Sequence, residues 1–297
     1  LLGLATVRGW QAVVFFDKRT GRISNVLPVG RAPAGLAIDP ERLRAYVALT
    51  GDDAIVVLDL VEARTRERVA LRAGDAPADA ALTPDGRTLI VANSGSDTVS
   101  FVDTAAAVEV DRLAVGSRPV NLVITRDGRR AFVVAERGSV VTVVDVTSRS
   151  IVGTIATDTA PVQACLGGRA EELLYVAHAW SPHLLVADTA TFATLRRIYV
   201  GNGARALAIE PQTGRIFLAR RGTGKVEIFD PASLLAIDEI DVRGDVVYLA
   251  LEREGNALGV LLDTSNELDM VGVVGRKIFA RTGLGPDPAA LGFLEAR

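Results

Sequence analysis

The sequence predicts an all-β fold, a seven-bladed β-propeller of four-stranded antiparallel blades, on three observations. A unit of about 42 residues recurs along the chain, each unit reads as four short strands, and the chain starts and stops in mid-unit.

The recurring order is a Gly-x-x-Pro corner, an apolar strand, an Asp-Gly turn, a second strand, a short polar loop and a third strand ending in Asp. A more polar fourth strand leads to the next corner. Corners fall at Pro33, Pro77, Pro119 and Pro161, then at Ala204 without proline, near Gly244, and at Pro286 to Pro288. The closing aspartates are Asp17, Asp59, Asp103, Asp145, Asp188 and Asp230, spaced 42 to 44 residues apart. Two independent markers on one period make chance improbable. The copy from Val246 to Arg281 keeps the strands and loses the aspartate.

Runs of Val, Ile, Leu and Phe between turn clusters are strand chemistry. Asp85-Gly86 and Asp127-Gly128 suit hairpins that need positive φ. The only helix-like window, Thr104 to Arg112, fits strand periodicity as well. Leu2 to Val7 matches a second strand, and Ala289 to Leu294 matches an isolated first strand. Residues 1–29 and 288–297 therefore form one composite blade of a single domain spanning 1–297. Four strands alone bury too little, so stacking and closure supply the core and remove the edges.

Composition narrows the function classes. The chain of 297 residues is 49% hydrophobic and 23% charged, which supports a packed core. A net charge of −3 leaves no electrostatic footprint for nucleic acid. No apolar run reaches the length of a membrane-spanning helix. The single Cys165 excludes an internal disulfide and a Cys-rich metal site. No Cys-x-x-Cys-His is present for covalent haem, and no cofactor or metal is expected.

Val115-Gly116-Ser117-Arg118-Pro119, Leu82-Thr83-Pro84-Asp85-Gly86-Arg87, Ile90-Val91-Ala92-Asn93-Ser94 and Val102-Asp103-Thr104 resemble the YVTN-repeat β-propellers, within the lactonase-like and surface-layer-like seven-bladed group. The resemblance covers the whole chain and is strongest from Ala73 to Thr157. It implies the propeller fold and, because many relatives are exported, an extracytoplasmic setting in the periplasm or at the cell surface. Its members include binding and surface proteins, sugar-lactone hydrolases, amine-dehydrogenase heavy chains and haem d1 propellers, so it does not choose an activity.

Candidate site residues come from comparing repeats. The repeated aspartates read as turn caps, and Cys165 reads as a small buried hydrophobe. One aligned position on the first strands carries Gly35, Asp79, Asn121, Gln163, Ala206, Tyr248 and Ala290. The end of the second strands carries Val7, Leu49, Asn93, Glu136, His178, Arg220 and Leu262. The polar members of both sets are expected near one face, as an arc for a ligand or partner. Trp10 and Trp180, the only tryptophans, fall in equivalent loops on that face and are candidate interface anchors.

Two function classes are compatible with this pattern. The first is a non-enzymatic binding or scaffolding propeller, presenting a loop-rich face to a protein partner or small ligand, alone or within a larger complex. The alternative is a lactonase-like hydrolase or a dehydrogenase or redox-complex subunit using the channel mouth. There Glu136 or Asp79 would be the acid–base group, His178 a proton carrier and Arg220 the partner of an anion. The spacing of His178 and His183 is a weak metal signal, and Ser181, His183 and Asp188 lack a visible oxyanion hole.

Overall fold

Why the repeats close into a ring is visible in the computed structural model, which describes residues 2–252 and 255–294. Its regular elements are all strands, arranged in seven antiparallel four-stranded sheets. No helix among the described residues is long and apolar enough to cross a membrane. The innermost strands are Pro33–Asp39, Pro77–Leu82, Pro119–Ile124, Pro161–Gly167, Ala204–Ile209, Val246–Leu251 and Pro288–Phe293. Each packs against the innermost strand of the next blade, and the circle is complete.

The composite blade orders its strands as Pro288–Phe293, Leu2–Val7, Ala12–Asp17 and Ile23–Pro28. Its closing register pairs Gly3 with Phe293, Ala5 with Leu291 and Thr6 with Ala290. The fully buried Thr6 hydroxyl donates to the Ala34 carbonyl of the second blade at 2.8 Å and accepts the Ala290 N–H at 2.9 Å. A second tie joins the first and seventh blades through the Lys18–Glu252 ion pair. Leu1 and residues 295–297 of this blade lie outside the described residues.

The core is divided seven ways. One apolar cluster fills each gap between neighbouring blades, such as Ile90, Phe101, Leu122 and Val133 between the third and fourth. Second and third strands are covered on both faces and read as near-continuous apolar runs, for example Arg130–Ala135 and Val140–Asp145. Fourth strands form the outer rim and are largely exposed, as in Arg64–Ala70.

The recurring aspartates cap their own turns. Asp17 accepts the N–H groups of Arg19 and Thr20, Asp59 those of Val61 and Glu62, and Asp103 those of Ala105 and Ala106. Asp188 and Asp230 repeat the arrangement with Ala190 and Thr191 and with Ala232 and Ser233. In the seventh blade Gly272 stands at this position, and its carbonyl takes the Arg276 N–H instead.

Candidate ligand site in the channel and the aromatic rim

Each innermost strand has a neighbour on one side only, so its inward backbone groups lack a strand partner. The sequence compensates with polar side chains. Asp79 accepts the Leu122 N–H at 3.1 Å and the Asn121 side-chain N–H at 2.8 Å, both from the next blade. Asn121 in turn accepts the Ala164 N–H at 2.9 Å, and Gln163 accepts the Leu207 N–H at 2.8 Å. Successive blades from the third to the sixth are thus clasped around the axis. Gly35 is small for the same reason, since a Cβ there would stand 2.3 Å from the Asp79 carboxylate.

The aim of these side chains is set by a bulge at the start of the strand. Register slips between Pro77 and Asp79, between Pro119 and Asn121, between Pro161 and Gln163, and between Val246 and Tyr248. An extra residue re-aims the side chain after it, here into the channel. Asp79, Asn121, Gln163 and Tyr248 consequently form a waist shared by two chambers.

The chambers differ in chemistry. On the corner face, where first strands begin, a cavity of about 290 Å³ includes Arg8, Arg118 and Arg205. Those arginines pair with Asp287 at 3.3 Å, Glu136 at 3.0 Å and Asp263 at 3.0 Å. On the hairpin face, a funnel of about 630 Å³ is walled by Leu36, Ile38, Leu82, Ile124, Leu166 and Leu251, with Cys165 further in.

Titration reflects these surroundings. Desolvation pushes the Asp79 carboxyl up to about 6 against the opposing pull of its hydrogen bonds from Leu122, Ala80 and Asn121. Cys165, expected to be a small buried hydrophobe, is only half-buried because it lines the open funnel, and desolvation there pushes its thiol up to about 12. The Tyr248 phenol is also raised, by burial first and then by the charge of Asp79.

The remaining predicted site residues stand elsewhere. Asn93 and His178 lie one strand outward and are fully buried. Asn93 donates to Ser100 at 2.7 Å and to Thr98 at 3.1 Å. His178 donates from Nδ1 to the His183 carbonyl at 3.0 Å, and burial lowers its pKa, so the ring is neutral. Glu136 is held by Arg118, and Arg220 is bidentate on Glu227 at 2.6 and 2.8 Å. Among Asp79, Glu136, His178 and Arg220, only Asp79 lines the channel. Asp188 caps its turn at the far end of the strand from His183, so Ser181, His183 and Asp188 do not converge.

The two tryptophans also part company. The Trp10 indole, 44% exposed, lies over Gly285, where a Cβ would approach it to 2.3 Å. Trp180 is 77% exposed. Near it the sequence reading missed Tyr199, which is 73% exposed and meets the His183 ring edge-on with centroids 6.1 Å apart. Asp158 binds this loop together, accepting the Ser181 hydroxyl at 2.6 Å and Arg197 Nε at 3.3 Å. The available signal was an aromatic residue closing an arginine-bearing outer strand, Thr194–Tyr199, directly opposite His183.

A family model described as YNCE-like beta-propeller matches residues 29–170, and the seven-bladed ring extends the same pattern around the chain. The chain is a seven-bladed propeller, similar over that stretch to the YNCE-like family. A search of the curated proteins gave no match. Among solved structures, this propeller is similar to Kuenenia stuttgartiensis hydrazine synthase, with a TM-score of 0.75 and 19% identity over 86% of this chain and 87% of that one. It is similar to dihydro-heme d1 dehydrogenase NirN in complex with DHE, with a TM-score of 0.75 and 14% identity over 99% and 75% of the two chains. A functionally unknown protein from Desulfotomaculum acetoxidans DSM 771 superposes with a TM-score of 0.79 at 12% identity, over 96% and 99% of the two chains. At these identities the likeness is one of fold.

Proposed function

We propose that this propeller is a non-enzymatic binding or scaffolding module that docks a protein partner on its corner face. The observation that carries the reading is the aromatic rim of the fifth blade, where Trp180 and Tyr199 are 77% and 73% exposed beside His183. Large aromatic side chains left in water on a well-packed scaffold are typical anchors for association. The polar loop beneath them is tied down by Asp158, so little ordering cost is left for binding. Trp10 contributes less because its ring already rests on Gly285.

The reading includes an extracytoplasmic setting and membership of a larger complex, in line with the YVTN resemblance. Fractionation of the full-length product tests the compartment. For the docking face, cross-linked capture from the source cells is compared between wild type and the Trp180→Ala/Tyr199→Ala variant. Loss of hot-spot anchors lowers affinity about 30-fold or more. The partner recovered by wild type should therefore be depleted with the variant, at unchanged melting temperature. Equal recovery assigns the partner to another face.

A further inference from the structure

We propose that the funnel on the hairpin face binds an amphipathic organic cation, a protonated primary amine whose apolar body fills the funnel and whose ammonium group meets the Asp79 carboxylate. This site lies on the opposite face from the aromatic rim and does not depend on it.

The funnel has the shape of a small-molecule site. At about 630 Å³ the funnel lies within the range of roughly 300–1,000 Å³ usual for small-molecule sites. Its wall is apolar, from Leu36, Ile38, Leu82, Ile124, Leu166 and Leu251, most of them incompletely buried because nothing in the ring covers them. A ligand with an apolar body gains by covering that wall.

The funnel also carries an unpaired charge. Asp79 stands where the funnel narrows, and among the described residues no cation pairs with it. Its hydrogen bonds come from three neutral N–H groups, of Ala80, Leu122 and Asn121. A carboxylate can accept about four, so one acceptor position is left for a ligand. Removing a charge from water without pairing it is costly, and the raised pKa of Asp79 is that cost made visible. An ammonium group supplied by a ligand removes it.

The surrounding groups favour a cation over an anion. Tyr248 faces Asp79 as a neutral group, Asn121 and Gln163 complete the waist, and the Cys165 thiol donates to the Leu207 carbonyl at 3.3 Å. Glu252 at the funnel rim is neutralised by Lys18. The arginines Arg8, Arg118 and Arg205 line the other chamber, each held by its own carboxylate. An anionic amphiphile entering the funnel would meet only the Asp79 charge.

Calorimetric titration with octylamine, octan-1-ol and octanoate tests this on the whole chain. At pH 8, octylamine should bind at least ten-fold tighter than octan-1-ol, and octanoate should bind weakest. The amine stays charged throughout while Asp79 ionises near 6, so octylamine affinity should fall about ten-fold from pH 8 to pH 5. Asp79→Asn should bind octylamine and octan-1-ol alike. Ala250→Leu, which narrows the funnel without altering Asp79, should weaken both ligands together. No binding, equal affinity for amine and alcohol in the wild type, or an amine preference that survives Asp79→Asn each overturns the proposal.

Discussion

Asp79 does two jobs that pull against each other. It clasps the third blade to the fourth through Leu122 and Asn121, and it keeps a carboxyl group in a desolvated channel. An unfolded aspartate titrates near about 3.9 and the folded one near 6, so the folded protein holds an extra proton between those values. Stability from this group is complete below the lower value and is lost as pH rises through the upper one. Between pH 4 and pH 7, wild type should lose about 1–3 kcal/mol relative to Asp79→Asn. Urea unfolding of both proteins at the two pH values measures this, and a constant difference contradicts the perturbed carboxyl. Asp52, held near 2 by its hydrogen bonds with Arg31, acts oppositely, losing its contribution as pH falls below that window.

Strands and corners explain how the site residues are aimed. The residue before six of the seven inner strands adopts positive φ even where it is not glycine, as at Ala32, Ala76, Arg118 and Ala160, Asp245 being the exception. Ala76, at φ 45°, donates its N–H to Asp53 of the preceding blade at 2.7 Å, so a neighbour holds the corner in place. A side chain in this region costs about 1 kcal/mol that glycine avoids. Ala76→Gly should therefore stabilise the protein by about 1 kcal/mol in denaturant melts. A fall in stability would mean the corner is unstrained. The sequence motif announced these corners through proline, but the left-handed alanines and the bulges after them carry no residue signature. Register is decided by what pairs across the blade, so the bulge that turns Asp79 and Tyr248 inward was not legible, although their shared aligned position was.

At the scale of the whole molecule, closure is the vulnerable step. Seven interblade cores share the apolar surface, and the ring holds only if the first and last strands meet. Thr6 sits at that seam and bridges the Ala34 carbonyl to the Ala290 N–H. Thr6→Val keeps the shape and orphans both groups, for an expected loss of about 2 kcal/mol. Equilibrium unfolding that leaves the variant as stable as wild type would show that water replaces the hydroxyl at the seam.

From the sequence alone came the period, the four strands per blade, the seven blades and the composite blade, because each depends on local turn chemistry and alternation repeated many times. The capping role of the aspartates was equally readable, since a short side chain reaches only its own turn. The candidate site was only partly so. Asp79, Asn121, Gln163 and Tyr248 share one aligned position and meet in space, whereas Asn93 and His178 share another and are sealed inside their sheets. Tyr199, unremarkable in an outer strand, joins Trp180 only because one hairpin folds it beside His183. Repetition fixes what every blade must do, while burial, ion pairing and cross-blade proximity arise from neighbours distant in the chain, and those only the closed ring decided.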